Sequence, residues 1–201
     1  MFSRCFIFSE FNANSQAGKF VIDSLKGYYP VYPNGYTKVC ESYTSIVFAF
    51  AKIVKKSEPS PNCWLKWNEI LVDGYRIVGV HIPDSRYQLN DAKDFWECLE
   101  SHYQKYISDR VIYIGDMNVF EEGTFGKNKL NKILKTAKDG WLIMGHSNGK
   151  EPDYTCKQGE YKSRIDYAIL SPNMPKILEM HNHQDFFIKR LSDHSLLQIK
   201  F

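Results

Sequence analysis

Five short stretches of the sequence combine residue types that can move protons or hold cations. The sharpest is Ile114-Gly115-Asp116-Met117-Asn118, where an apolar run meets a glycine and then a carboxylate and an amide two residues apart. In extended chain, side chains at that spacing leave on the same side. Asp116 and Asn118 would then hold a cation-bound phosphate together, or orient an attacking water. The pair also reads as a plain turn, because Asp and Asn are common turn formers. The second stretch is Ser192-Asp193-His194-Ser195, just before the final apolar run. An Asp beside a His either binds metal or tunes the imidazole for acid–base work. The plainer alternative is a polar turn entering an edge strand.

The third stretch is Ser163-Arg164-Ile165-Asp166-Tyr167, followed by Ala168-Ile169-Leu170. It places Arg164 and Asp166 on one face of a strand otherwise built for burial. Charges there need a partner or a function, and a salt bridge between the two is the structural alternative. His81 ends the apolar run Val78-Gly79-Val80, and Glu10 closes the run of Phe6, Ile7 and Phe8. Taken singly, each of these residues has an ordinary structural reading.

The surrounding pattern supplies the elements that would position them. Arg4 to Glu10 reads as a short buried strand. Ala17, Phe20, Val21 and Leu25 recur at helical spacing over Ser15 to Lys26, with Gly27 as a stop. Thr44 to Ala51 reads as a strand and Lys55 to Asn62 as a loop. Asp73-Gly74 between the apolar runs Glu69 to Val72 and Tyr75 to Ile82 predicts a hairpin. Ala92, Phe95, Trp96, Leu99, Tyr103 and Tyr106 form one helical stripe over Asn90 to Ile107. Val111 to Ile114, Ser163 to Leu170 and Ser195 to Phe201 read as strands, and Lys127 to Lys138 as a helix. Strands outnumber helices, which predicts antiparallel or mixed sheets covered by helices.

Length and composition bound the function classes. A chain of 201 residues suits one domain over 1–201. Charged residues make up 24% and the net charge is +3, which permits a polyanionic partner without demanding one. The five cysteines are odd in number and show no C-x-x-C spacing, so they read as reduced thiols rather than a disulfide frame or zinc site. No apolar run approaches the roughly 20 residues of a transmembrane helix, and Cys5 to Phe8 is too short for a signal-peptide core. A cytoplasmic location is the resulting expectation.

In order along the chain, strand-Glu10, strand-His81, Gly115-Asp116-x-Asn118, Ser163-Arg164-Ile165-Asp166 and Ser192-Asp193-His194 resemble the endonuclease/exonuclease/phosphatase superfamily. That group includes deoxyribonuclease I, exonuclease III, apurinic endonucleases, sphingomyelinases and inositol-polyphosphate phosphatases. The resemblance runs from Glu10 to the C-terminus. It implies an α/β (α+β) fold: a deoxyribonuclease I-like four-layer sandwich of two packed mixed sheets with outer helices. It further implies a divalent-metal-dependent phosphodiesterase or nuclease using Mg²⁺ or Mn²⁺. Glu10 would ligate the metal, and Asp193 would bind metal or support His194. Asp116 would orient or deprotonate water, Asn118 would hold a phosphate oxygen, and Asp166 would orient His81 or bind near the metal. Arg164 would contact substrate, and His194 would act as base or as phosphate-binding acid. The His81 position resembles the deoxyribonuclease I and sphingomyelinase branches, where it is a candidate general acid; exonuclease III and apurinic endonucleases usually carry Tyr there.

Family members usually open with a further strand bearing an Asn near the metal. The sequence begins at the Glu10 strand, and the expectation that follows is weak Mg²⁺ binding, low activity and self-association. DNA or RNA is the expected substrate, with Lys55, Lys56, Lys127, Lys129, Lys132 and Lys135 available to backbone phosphates or simply solvated. Two other readings stand beside it: a phosphohydrolase acting on a phosphorylated small molecule or lipid headgroup, and a catalytically weak binding module.

Overall fold

A computed structural model of the chain describes residues 5–31, 44–49, 63–120, 123–144, 153–185 and 192–201. The platform is a five-stranded sheet. Its strands are β4 (Trp67–Val72), β5 (Tyr75–His81), β6 (Val111–Asp116), β10 (Asp166–Leu170) and β7 (Lys138–Asp139), in that order across the sheet. β5 and β6 run parallel, joined through helix α2 (Leu89–Tyr106); the other pairs are antiparallel. The Asp73-Gly74 hairpin forms as its sequence predicts. Both residues take positive φ, 50° and 79°, which suits the twist of a two-residue turn.

Alternation along these strands sorts the core into two sides. Val78, Val80, Tyr113, Tyr167 and Ile169 face Phe95, Trp96, Leu99 and Tyr103 of α2 and Leu130 and Ile133 of α3 (Phe125–Ile133). Ile70, Ile77, Ile112, Ala168 and Leu170 face the second strand layer. One part of that layer is β1 (Cys5–Phe11), β3 (Thr44–Ala49) and β2 (Tyr29–Val31), ordered β1-β3-β2. The other is β11 (Glu179–His183) paired with β12 (Leu196–Lys200). Helix α1 (Gln16–Ser24) packs outside β1 through Val21, Ile22, Phe8 and Phe11. Helix, sheet, strand layer and helix give four layers. Ser15 caps α1 by accepting from the Gly18 N–H.

Beyond these elements lie the hairpin of β8 (Cys156–Gln158) with β9 (Tyr161–Ser163) and the short helix α4 (Gly140–Ile143). A charged cluster sits between β4 and α2: Glu69 meets His102 at 3.0 Å and also pairs with Arg76, while His102 Nδ1 lies 2.7 Å from the Tyr113 hydroxyl. Buried charges of this kind persist because each has partners.

Two expected elements differ. The helix expected over Lys127 to Lys138 is capped earlier, by Thr124, and ends at Ile133. Lys138 instead opens β7 and pairs with Leu170. The strand expected over Ser163 to Leu170 is interrupted at Arg164 and Ile165, between β9 and β10. The Thr155 hydroxyl accepts from both the Ile165 and Asp166 N–H groups, at 3.1 and 2.9 Å, so those donors turn to a side chain as the chain passes from hairpin to sheet. Arg4, Ala51, Lys55, Lys56 and the expected loop from Lys55 to Asn62 lie outside the described residues. Among the described residues, no helix is long and apolar enough to cross a membrane.

Candidate active site

The ends of three adjacent strands gather the singled-out residues. His81 ends β5, Asp116 ends β6 and Asp166 begins β10. His81 is paired with Asp116 across the parallel ladder, and Asp116 with Asp166 across the antiparallel one. Gly115 makes the approach of β5 and β6 feasible. Its φ is 136°, and a Cβ there would lie 2.1 Å from the Val80 carbonyl oxygen.

Asp116 and Asn118 converge, but not by the expected strand alternation. β6 stops at Asp116, and Asn118 sits past it with a left-handed φ of 47°. Asp116 Oδ1 accepts from the Asn118 N–H at 2.8 Å, a side-chain turn of the kind Asp favours. The Asn118 amide donates to the Ile82 carbonyl at 2.7 Å and to Asp116 Oδ2 at 3.1 Å. Both amide hydrogens are thus engaged within the protein, and Asn118 fastens the loop after β5 to the carboxylate after β6.

The two histidines differ in charge. His81 is buried, and its Nε2 lies 3.7 Å from Asp116 Oδ2. Burial, with the positive fields of Lys66 and His194, lowers its pKa to about 3, so the ring is neutral. A ring without its extra proton is suited to accept one, whereas the resemblance implied a general acid. His194 is half-buried, and its Nδ1 lies 2.9 Å from Asp166 Oδ2. Burial opposes its charge, but the hydrogen bond and charge of Asp166, with Asp116 and Asp193 beyond, raise its pKa to about 9. Asp166 is therefore the partner of His194 rather than the orienter of His81.

His194 is held from the other side as well. Cys156 forms a backbone bridge with it, the Lys157 N–H donates to the Asp193 carbonyl, and the Ser195 N–H donates to the Thr155 carbonyl. Asp193 is exposed, and its Oδ2 accepts from the Gln158 amide at 3.0 Å. Thr155 and Cys156 were not anticipated from the sequence. Their role comes from β8 lying beside both the SRID and SDH stretches, which no local spacing reveals.

Arg164 departs from its expected place. It lies outside any strand, and its guanidinium pairs with Asp139 at 2.6 Å and stacks 4.3 Å above the Tyr167 ring. The salt bridge to Asp166 does not form. Asp139 also accepts from the Trp141 N–H as the cap of α4, so Arg164 joins α4 to the sheet. Glu10 lies next to the end of β1, within a register shift between Phe8 and Phe11 that adds a residue to β1. Bulges of this type re-aim side chains near functional sites; the Glu10 side chain is outside the described residues. Of the lysines singled out, Lys127 lies 3.4 Å from the Tyr167 hydroxyl, and Lys129 and Lys132 both pair with Glu100.

No family profile matches the sequence, and no curated protein resembles it in sequence. Solved structures do resemble it in fold. A variant of the 3' phosphatase NExo from Neisseria, bound to product DNA hairpin, superposes with a TM-score of 0.78 at 13% identity, covering 98% of this chain and 88% of that one. An AP endonuclease from Archaeoglobus fulgidus gives 0.71 at 17% identity, covering 99% and 88%. TDP2 from C. elegans gives 0.70 at 17% identity, covering 96% of this chain and 63% of that one. The chain has the deoxyribonuclease I-like fold shared by proteins of the endonuclease/exonuclease/phosphatase group.

Proposed function

We propose that the chain is a divalent-metal-dependent phosphoester hydrolase acting on nucleic acid. The observation that carries this reading is a pair of histidines in different protonation states beside two carboxylates: neutral His81 by Asp116, and protonated His194 on Asp166. Hydrolysis of a phosphoester needs a proton acceptor near the attacking water and donors for charge developing on phosphate. His81 and Asp116 would orient and deprotonate water. His194 would donate to a phosphate oxygen, and Lys66 adds positive field at His81. Asn118 holds Asp116 in position.

A hard divalent cation fits the donor chemistry. Burial raises the Cys156 thiol pKa, and the charges of Asp193, Asp166 and Asp116 raise it further, so three carboxylates act on the neighbourhood of that residue. Oxygen donors of this kind suit Mg²⁺ or Mn²⁺. Glu10 and Asp193 would hold the ion, which would offset charge on the phosphate and the leaving oxygen.

Exposed aromatics would suit a base-bearing substrate. Tyr87 is 82% exposed and Tyr161 49%. Arg86 lies 3.8 Å over the Phe120 ring, 5.6 Å over Tyr87, and within electrostatic reach of Tyr161. Exposed aromatics can stack bases, and the Asp84 carboxylate holds the Arg86 guanidinium beside them through Nε and Nη2. Neighbours in fold include a 3' phosphatase bound to DNA and an AP endonuclease.

The test is direct. Purified protein is incubated with plasmid, a 3'-phosphorylated oligonucleotide, an abasic duplex and soluble phosphoesters, with Mg²⁺ or with EDTA. Cleavage of a nucleic acid with Mg²⁺ and none with EDTA is expected. Turnover confined to soluble phosphoesters would favour a phosphohydrolase of small molecules or headgroups. No turnover under any condition would leave a binding module.

A further inference from the structure

The proposed hydrolysis leaves Cys156 unused. This residue opens β8, is 3% exposed, and bridges the backbone of His194. Its sulfur, a carboxylate oxygen of Asp193 and a ring nitrogen of His194 all lie within 4.8 Å of one another. The ligand types are mixed, one sulfur, one oxygen and one nitrogen, unlike the all-oxygen set that suits Mg²⁺.

A further contact points to a cation. Asp166 engages Nδ1 of His194 at 2.9 Å. A carboxylate on one ring nitrogen fixes the imidazole and leaves Nε2 for a metal, the usual outer support of a histidine ligand.

The dimensions are workable. Tetrahedral zinc takes sulfur and nitrogen at roughly 2.0–2.3 Å, so its ligand atoms stand roughly 3.5 Å apart. Asp193, being exposed, can move with little repacking to bring the three ligand atoms to that spacing. Thiolate and imidazole select zinc-like ions, whereas oxygen donors alone suit magnesium.

We propose that Cys156, Asp193 and His194 form a site for a zinc-like divalent cation, which occupies the hydrolytic centre and shuts it off. On binding, the S–H bond of Cys156 and the Nε2–H bond of His194 are replaced by bonds to the metal. Both protons leave to solvent, and no electron is transferred. The open fourth position is taken by water. The inhibitory consequence rests on the hydrolase reading; the binding itself does not.

Cobalt(II) serves as the probe, because a thiolate ligand gives it an intense charge-transfer band. Titration of the full chain is expected to saturate at one equivalent, with that band present. Cys156→Ser is expected to lose the band, while its melting temperature without metal stays near that of the parent. Asp193→Asn, at an exposed position, keeps the band and weakens binding at least tenfold. Micromolar Zn²⁺ is expected to abolish Mg²⁺-supported hydrolysis in the parent and to spare Cys156→Ser. A band that persists in Cys156→Ser would place the metal on another cysteine and overturn the proposal. So would the absence of a band at saturating cobalt, or unchanged affinity in Asp193→Asn. If neither protein hydrolyses any phosphoester but the band behaves as described, the site stands and the hydrolase reading falls.

Discussion

Asp116 and Asp166 stand opposite one another on neighbouring antiparallel strands, and each is turned to a different histidine. Asp116 Oδ2 lies 3.7 Å from His81, and Asp166 Oδ2 lies 2.9 Å from His194. The shorter contact accompanies the charged ring and the longer one the neutral ring. Burial and the positive fields of Lys66 and His194 keep the His81 ring neutral, and Asp166 holds the charge on His194 against burial.

Both rings are therefore expected to be needed. His81→Ala and His194→Ala should each lower turnover by roughly 10²–10⁴-fold, the usual range for a positioned acid or base. Circular dichroism of each variant should match the parent. A fully active His81→Ala would remove that ring from the reaction, and an unfolded one would assign it to packing.

Asp166 is expected to set where activity ends on the alkaline side. His194 must keep its proton to donate, so turnover should fall as pH rises through about 9. Asp166→Asn removes the bond and charge that hold the proton, and the alkaline limb should move toward the ordinary histidine value of 6.5. A pH–rate profile of both proteins checks this; an unmoved limb would show that another group governs it.

Stability should follow the same two rings. The pKa of His194 is raised on folding, so its contribution is full below 6.5 and erodes as pH rises to about 9. The pKa of His81 is lowered, so its contribution is full above 6.5 and erodes as pH falls toward about 3. Their joint contribution peaks near pH 6.5. Melting curves across pH should show His194→Asn flattening the alkaline side and His81→Asn flattening the acid side.

Thr155 is expected to act on the site without touching substrate. Its hydroxyl accepts from the buried Ile165 and Asp166 N–H groups, and its carbonyl accepts from Ser195 next to His194. Thr155→Val keeps the shape but strands two donors, at about 1–3 kcal/mol for each buried group left unpaired. It should also lower kcat by displacing Asp166 from His194. Thr155→Ser should restore both. If valine lowers stability yet leaves kcat and the His194 titration unchanged, Thr155 only supports the hairpin.

Much of this arrangement is legible in the sequence where local patterns decide it. The Asp73-Gly74 turn, the α2 stripe and the strands bearing His81 and Asp116 all form within a residue or two of expectation. These are signals of short range: a turn dipeptide, a helical period, an apolar run. The errors arise where distant chain competes. Thr155 interrupts the strand expected at Arg164, and Asp139 rather than Asp166 takes that guanidinium. Likewise, Asn118 reaches Asp116 through a turn and the carbonyl of Ile82, thirty-six residues away, rather than by strand alternation. The distant partners Thr155, Cys156 and Asp139 carry no motif of their own.

Gly115 and Asp116 are adjacent, and substitutions at each should fail in different ways. Gly115 holds φ at 136°, and any Cβ would fall 2.1 Å from the Val80 carbonyl oxygen. Alanine there costs about 1–3 kcal/mol for the backbone conformation and about 1–3 kcal/mol more for the forced contact. Val80 precedes His81, so the strands part where His81 faces Asp116. Gly115→Ala should therefore lose stability and turnover together. Asp116→Asn keeps an oxygen that can accept from the Asn118 N–H, so the turn survives, but it removes the negative charge beside His81. It should melt close to the parent and turn over little or no substrate. Denaturant unfolding and single-turnover rates of the two variants separate these outcomes. Full turnover in Asp116→Asn would reduce Asp116 to a turn residue, and a parent-like Gly115→Ala would mean that β5 and β6 can shift apart without disturbing the site.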